Sequence, residues 1–282
     1  MDLALLGLGQ IGGSIARAAL ASGVASRVVA WTPNGRGPAA AEAHGIASTA
    51  SAAEAVAAGD LIVLAAPPLA CLALLGELAG PLRESLRPDA VITDVASTKA
   101  AIVERARELG LRFVGGHPMA GREASGYEAA DPELARGRPW VVVPADPADS
   151  AAAALVERLA VGCGARPIRM TAAEHDAATA LISHAPLVVS AALVEAAAGR
   201  PEWPAADSIR AGGWAGMTRL ARGDPAMGAG ILATNAGPTA AALRAFRDAL
   251  DDWIDVLDGA PSGETLAHRL ERARARAGDG ES

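Results

Sequence analysis

The sequence predicts a Rossmann-type α/β half built on a parallel sheet, followed by an all-α half, and three observations carry that prediction. Six short apolar runs alternate with helix-like segments over residues 1–170. A glycine-rich turn joins the first run to the first helix-like segment. From Thr171 onward the strand-like runs stop and long alanine-rich stretches replace them. Alternation of strand and helix favours a parallel sheet covered on both faces, because each crossover lays a helix over the sheet. The expected division is therefore 1–170 and 171–282, with 277–282 as a disordered tail.

The expected strands are LALLGL (3–8), RVVAW (27–31), LIVLAA (61–66), AVITDV (90–95), RFVGG (112–116) and WVVVP (140–144). Each is rich in leucine or β-branched residues and bounded by Gly, Pro or Asp. Residues 12–22, 68–79 and 98–109 read as the helices between them. In the second half, EHDAATALISHAPLVVSAALVEAAAG (174–199) is long and apolar, and Pro186 is expected to kink or break it. Helix-like stretches follow at 205–221, 224–235, 238–258 and 262–276. These look apolar on more than one side, so a second copy of the chain is the economical partner.

A net charge of −7 disfavours a nucleic-acid groove, which needs a basic footprint. The N-terminus enters directly into a strand-like run, without the basic start and longer apolar stretch of a signal peptide, and no segment reads as a membrane span. Cys71 and Cys163 lie far apart and form neither a metal spacing nor a disulfide framework. The expectation is a cytoplasmic protein with no membrane or nucleic-acid partner and no metal. Lys99 is the only lysine among 25 basic residues. Either its chemistry is needed or it has survived a coding bias by chance.

GLGQIG (7–12) fits the pattern G-x-G-x-x-G and sits between a strand and a helix, the context that gives the pattern its meaning. Gly7 permits the turn, Gly9 lets backbone approach a pyrophosphate, and Gly12 lets helix and strand close up. With Gln10 and Ile11 at the helix N-terminus, and Ala66 and Pro67 at the end of the third run, they form a candidate dinucleotide cradle. A bare strand–helix turn is the plain alternative. An acidic residue after the second strand would bind the ribose of NAD. Here Thr32 and Arg36 occupy that stretch with no carboxylate, which leans towards NADP over NAD. The alternative is a solvated loop that admits either cofactor.

DVASTK (94–99) and GGHPMAG (115–121) end the next two strands. Strand C-termini face the ligand crevice in such sheets, so Ser97, Lys99 and His117 are expected there, with Ser97 hydrogen-bonded to His117 and the flanking glycines leaving room for ligand. A serine so placed would fix the imidazole for base catalysis. A core histidine bonded to a carbonyl is the alternative. In the helical half, Thr218, Arg219 and Arg222 precede an Asp-Pro helix start, and an arginine fork suits a substrate carboxylate. Solvated surface arginines are the commoner outcome. His184, ahead of Pro186, either lines the same crevice or caps a kinked helix.

Together these motifs resemble the prephenate/arogenate dehydrogenase family of tyrosine biosynthesis. The resemblance rests on GLGQIGGS, DVASTK, HPMAGREASG, SHAP and MTRLARGDPAM, in the family's order along most of the chain. It implies a dinucleotide-binding domain, a helical dimerisation domain and a homodimer. It also implies NAD(P)-dependent oxidative decarboxylation of prephenate to 4-hydroxyphenylpyruvate or of arogenate to tyrosine. His117 matches the histidine that bonds the ring hydroxyl, Ser97 its support, and Arg219 the arginine that binds a carboxylate. Glu123 matches a position at the substrate's side-chain end, His184 the histidine of the SH-x-P element, and Thr218 the residue before the arginine. His117 would act unprotonated, so activity is expected to fall at acid pH.

Departures from the family pattern are Leu187 in place of a second histidine, Trp214-Ala215-Gly216 before the TR block, and Gly228 in place of a tryptophan. They bear on selectivity at the substrate's far end, where Glu123 could pair with the ammonium group of arogenate. With no mutase segment ahead of the glycine motif and no regulatory domain in the tail, any tyrosine inhibition is expected at the active site. Two other readings stay open. One is an oxidoreductase of the β-hydroxyacid dehydrogenase or imine reductase type, which typically uses a helix-borne lysine that this helical half lacks. The other is a dinucleotide sensor without catalysis.

Overall fold

The computed structural model describes residues 1–33, 38–121 and 124–278. Arg36, Glu123 and the expected tail from Asp279 lie outside the described residues. Among those described, eight strands form one sheet: β1 (Asp2–Leu6), β2 (Arg27–Trp31), β3 (Ala47–Ser48), β4 (Leu61–Leu64), β5 (Val91–Asp94), β6 (Phe113–Pro118), β7 (Pro139–Pro144) and β8 (Arg166–Arg169). Their order is β3-β2-β1-β4-β5-β6-β7-β8. The chain therefore reverses its direction of travel between β1 and β4, and a crevice opens at the C-terminal ends of those two strands.

Alternation along the strands sends side chains to opposite faces. Leu3, Leu5, Val28, Leu61, Val63, Val114 and Trp140 pack on one face with Ile15 and Leu159. These last two come from α1 (Gln10–Ala21) and α6 (Ser150–Gly162). Leu6, Val29, Ile62, Leu64, Ile92 and Phe113 pack on the other face with Val56, Leu75 and Ile102. Those three come from α3 (Ala52–Ala58), α4 (Pro68–Ala79) and α5 (Ala100–Glu108), while α2 (Pro38–Glu42) precedes the short β3.

The sheet departs from the all-parallel expectation at one pair, since β6 and β7 run antiparallel, with His117 opposite Val141. A parallel neighbour needs a crossover element. The link from β6 to β7 holds only a single 3-10 turn, Tyr127–Ala129, among its described residues. Strands β3 and β8 were not expected. β3 has two residues, and RPIR of β8 carries two arginines and a proline, so neither shows an apolar run.

After β8 every element is helical: α7 (Ala172–Thr179), α8 (Ala185–Ala198), α9 (Trp203–Ser208), α10 (Gly212–Met217), α11 (Pro225–Thr234), α12 (Ala236–Asp258) and α13 (Gly263–Ala277). The expected helix over 205–221 is thus split, with Ile209, Arg210 and Ala211 at the break. Pro186 breaks nothing. A π-turn over Ala180–His184 joins α7 to α8, and Pro186 falls in the first turn of α8. A missing N–H is least costly in a helix's first turn, and the wide turn before it absorbs the ring. The continuous helix Ala172–Ala198 is 27 residues long, long and apolar enough to cross a membrane by length and composition. This corrects the expectation that no segment has that length, although its polar residues are bonded into the site described below.

The chain forms two compact units, Met1–Thr239 and Ala240–Ser282. The first holds the sheet together with α7 to α11. In the second, the Arg269 guanidinium lies 4.2 Å from the centre of the Trp253 ring and donates to the Asp252 carbonyl at 3.0 Å.

Candidate active site

The glycine turn follows β1. Gly7 has φ +110°, and a Cβ there would sit 2.2 Å from the Ala65 carbonyl oxygen. A Cβ at Gly12 would sit 2.6 Å from the Gly7 oxygen, so α1 reaches its position only because both residues lack side chains. Gly9 differs: nothing lies within 4 Å of a Cβ built on it. It caps α1 without a side-chain hydrogen bond, leaving the helix N-terminus open to a ligand. A cleft of about 690 Å³ opens there, lined by Gly7, Gly9, Thr32, Ala66, Pro67 and Tyr127 among others. Of the residues expected to cradle a dinucleotide, Gly7, Gly9, Thr32, Ala66 and Pro67 line this cleft.

Two expected cradle residues are used differently. The Gln10 side chain donates to the Ala124 carbonyl at 2.9 Å. Ile11 packs against the core. Gly7→Ala is expected to abolish dinucleotide binding, measured by fluorescence titration with reduced cofactor. The backbone strain alone costs about 1–3 kcal/mol, and the contact with Ala65 adds to it.

Strands β5 and β6 end at the same edge, and there a buried ion pair sets the geometry. Lys99 and Asp94 are both fully buried, and the Lys99 ammonium bonds the Asp94 carboxylate. Asp94 also accepts from the backbone N–H groups of Ala96 at 3.0 Å and Gly116 at 3.1 Å. Burial pushes the Asp94 carboxyl above its ordinary value, against the pull of Lys99 and of these N–H groups. Two expectations are corrected here. Lys99 does not face the crevice; it neutralises Asp94. The glycines before His117 do not leave room for ligand either. A Cβ at Gly115 would lie 3.0 Å from Lys99 Cδ, and one at Gly116 would lie 2.6 Å from the Asp94 carbonyl oxygen. Gly115 makes room for the Lys99 side chain, and Gly116 for the backbone of β5.

His117 follows directly, half-buried at the end of β6. Its Nδ1 lies 2.8 Å from His175 Nε2, and His175 Nδ1 lies 2.7 Å from Asp176 Oδ1. The carboxylate of Asp176 also accepts from the Lys99 N–H at 2.7 Å and the Ala100 N–H at 2.8 Å, capping the start of α5. No hydrogen bond joins Ser97 to His117 among the described residues, which corrects the expected pairing. Burial lowers the His117 pKa well below the ordinary imidazole value, with further lowering from Lys99, His175 and His184.

His184 is buried in the π-turn. Its Nδ1 accepts from Asn235 Nδ2 at 2.9 Å, and the same amide group donates to the Asp176 carbonyl at 2.8 Å. Burial lowers the His184 pKa, against opposing effects of Asp176 and the Ser97 backbone. The structure therefore gathers His117, His184 and the Ser97 backbone at one strand edge. It adds His175, Asp176 and Asn235, which sequence reasoning missed. The signal available was the His-Asp pair just after Thr171, whose capping box with Glu174 starts α7.

In the TR block the described side-chain hydrogen bonds are local. Thr218 is buried and its hydroxyl donates to the Trp214 carbonyl at 2.7 Å, within its own helix turn. Arg222 folds back to donate to the Ala215 carbonyl at 2.9 Å. Arg219 is exposed, between α10 and the 3-10 turn that follows. Helix α10 ends at Met217, and a 3-10 turn covers Leu220–Arg222, in which the Arg222 N–H donates to the Arg219 carbonyl at 3.2 Å.

Comparison with known proteins adds independent findings. Residues 15–169 match the family described as prephenate dehydrogenase, nucleotide-binding domain, and residues 171–271 match prephenate dehydrogenase, dimerization domain. The prephenate dehydrogenase of Bacillus subtilis (strain 168) is 32% identical over 90% of this chain and 67% of its own length. The crystal structure of prephenate dehydrogenase from A. aeolicus, in complex with hydroxyphenyl propionate and NAD+, is 27% identical with a TM-score of 0.89. That match covers 98% of this chain and 97% of the other. Synechocystis arogenate dehydrogenase is 28% identical with a TM-score of 0.82, covering 98% of each chain.

Proposed function

The chain belongs to the prephenate dehydrogenase family, and from that premise we propose how its own residues perform the reaction. It is an oxidoreductase of the prephenate/arogenate dehydrogenase type that uses a nicotinamide dinucleotide. When bound, the dinucleotide supplies the hydride acceptor. The glycine turn and the N-terminus of α1 hold its pyrophosphate. His117 takes the proton of the substrate's ring hydroxyl while the ring loses hydride and CO₂ and becomes aromatic. Aromatisation supplies the driving force, so the protein mainly positions and polarises. One observation carries this assignment. His117 is anchored through one ring nitrogen, while the other bonds no described residue, at the strand edge beside the cradle.

Ser97, at the same edge, steadies the hydroxyl. Arg219 binds a substrate carboxylate, His184 shapes the ring pocket, and Glu123 meets the side-chain end. The protein acts as a homodimer through its helical half. Leu181 and Ile182 are 64% and 67% exposed on the long helix of a single chain, and a second copy would cover them.

For the cofactor we favour NADP, on Thr32 in the cleft wall and the lack of a carboxylate after β2. NAD has its own supporting observation: Glu77 and Glu128 line the same cleft, and carboxylates repel a 2′-phosphate. Turnover of prephenate and of arogenate, each with NAD and with NADP, tests all of this. Reduced cofactor is expected in at least one mixture, with the best rate under NADP. Silence in all four, with dinucleotide binding intact, would move the hydroxyacid or imine reading ahead.

A further inference from the structure

We propose that His175 and Asp176 act as positioning residues that fix the tautomer of His117, leaving its Nε2 as the proton acceptor. The inference rests on the role given to His117 above. It starts from donors and acceptors at the buried end of the chain of bonds. Asp176 Oδ1 already accepts the Lys99 N–H, and Oδ2 the Ala100 N–H. Burial raises the Asp176 carboxyl, but the bonds from His175, Ala100 and Lys99 outweigh it and hold the group below its ordinary value. An ionised carboxylate only accepts, so His175 Nδ1 carries the proton in that contact.

With both rings uncharged, one assignment satisfies the remaining contact. His175 Nε2 is bare, so His117 Nδ1 must donate across their 2.8 Å contact. The proton of His117 then sits on Nδ1 and its Nε2 lone pair is left for the substrate hydroxyl. When the hydroxyl O–H bond breaks, the proton forms the Nε2–H bond and His117 becomes an imidazolium. That cation keeps its Nδ1–H bond to His175, whose own proton points at the Asp176 carboxylate. Such an orienting partner fixes which nitrogen does the chemistry.

The arrangement also ties the base to the helical half. His117 belongs to β6, whereas His175 and Asp176 belong to α7. Asp176 caps α5 through its carboxylate, and its carbonyl accepts from Asn235 at 2.8 Å. Docking of α7 against the start of α5 therefore sets the imidazole. Ser97, which makes no bond to His117 among the described residues, is left to meet the substrate.

The test reads the tautomer directly, by nitrogen NMR of the histidine rings in the full-length protein, alongside steady-state rates for the wild type, His175→Leu and His175→Gln. The wild type is expected to carry the His117 proton on Nδ1. In His175→Leu it should shift towards Nε2, and kcat should fall about 10- to 100-fold with the dinucleotide KM unchanged. In His175→Gln the side-chain carbonyl can still accept from Nδ1, so the wild-type tautomer and most of kcat should return. An Nε2-protonated His117 in the wild type overturns the inference. So does a His175→Leu enzyme that keeps the Nδ1 proton and full kcat. Tautomers that shift as expected while kcat stays constant would overturn the role of His117 in the reaction and leave the tautomer assignment standing.

Discussion

Lys99→Met is expected to lower the unfolding free energy by about 3–5 kcal/mol, the largest stability loss of any single charge change in this chain. Its ammonium neutralises Asp94 where both side chains are fully buried. Removing it strands a carboxylate that also anchors Ala96 and Gly116, so the loop carrying Ser97 and the strand carrying His117 loosen together. Lys99→Arg should fail as well, by about 1–3 kcal/mol. The Lys99 side chain is fully buried, so the wider guanidinium would have to displace packed neighbours. This gives a physical reason why the chain's only lysine has not become another arginine. Urea unfolding of both variants against the wild type measures it. A Lys99→Met midpoint equal to the wild type's would show that Asp94 is neutral without its partner, and the account would fail.

How much of this was legible beforehand depends on what each residue's neighbours in sequence reveal. Sheet, glycine turn and helical half were legible because strand runs and glycine spacing are local signals. The antiparallel β6–β7 pair was missed because direction follows from a connection, and the 119–138 segment lacked a pattern of its own. Strand β8 was hidden by its arginines and proline. At the site, His117 was legible from its place after a strand, but its partner was not. Ser97 follows the adjacent strand in sequence order and invited the pairing, whereas His175 comes from a helix 58 residues away. No spacing rule predicts that contact. Glycines 115 and 116 were read as space for a ligand because that is the usual reason for glycine at a crevice. The Lys99 side chain and the backbone of β5 fill that space, an arrangement that only packing decides.

His117→Asn is expected to lower kcat by about 10²- to 10⁴-fold while dinucleotide binding stays near wild type. The asparagine amide can still donate to His175, so the cluster keeps its hydrogen bonds and the loss reports on the missing acceptor. The pH profile sharpens the point. His117 is faced by Lys99 from the start of α5, by His175 from α7 and by His184 from the π-turn. Burial first, then Lys99, His175 and His184, depress its pKa well below the ordinary value, which is about 6.5. The base is active when unprotonated, so the acid limb of kcat/KM should lie well below that ordinary value, with a flat profile through neutrality. The same shift has a stability consequence of definite sign. The unfolded chain protonates His117 and His184 as pH falls through the ordinary imidazole range, while the folded chain keeps them neutral. Stability that is fully present above that range is therefore lost as pH falls through it towards the depressed values. Melting temperatures and kcat/KM followed over the same pH range test both together. In His117→Asn the acid loss of stability should be reduced, because one of the two histidines is gone. An acid limb at or above the ordinary imidazole value would mean that His117 is solvated in the working enzyme, and that some other group sets the rate.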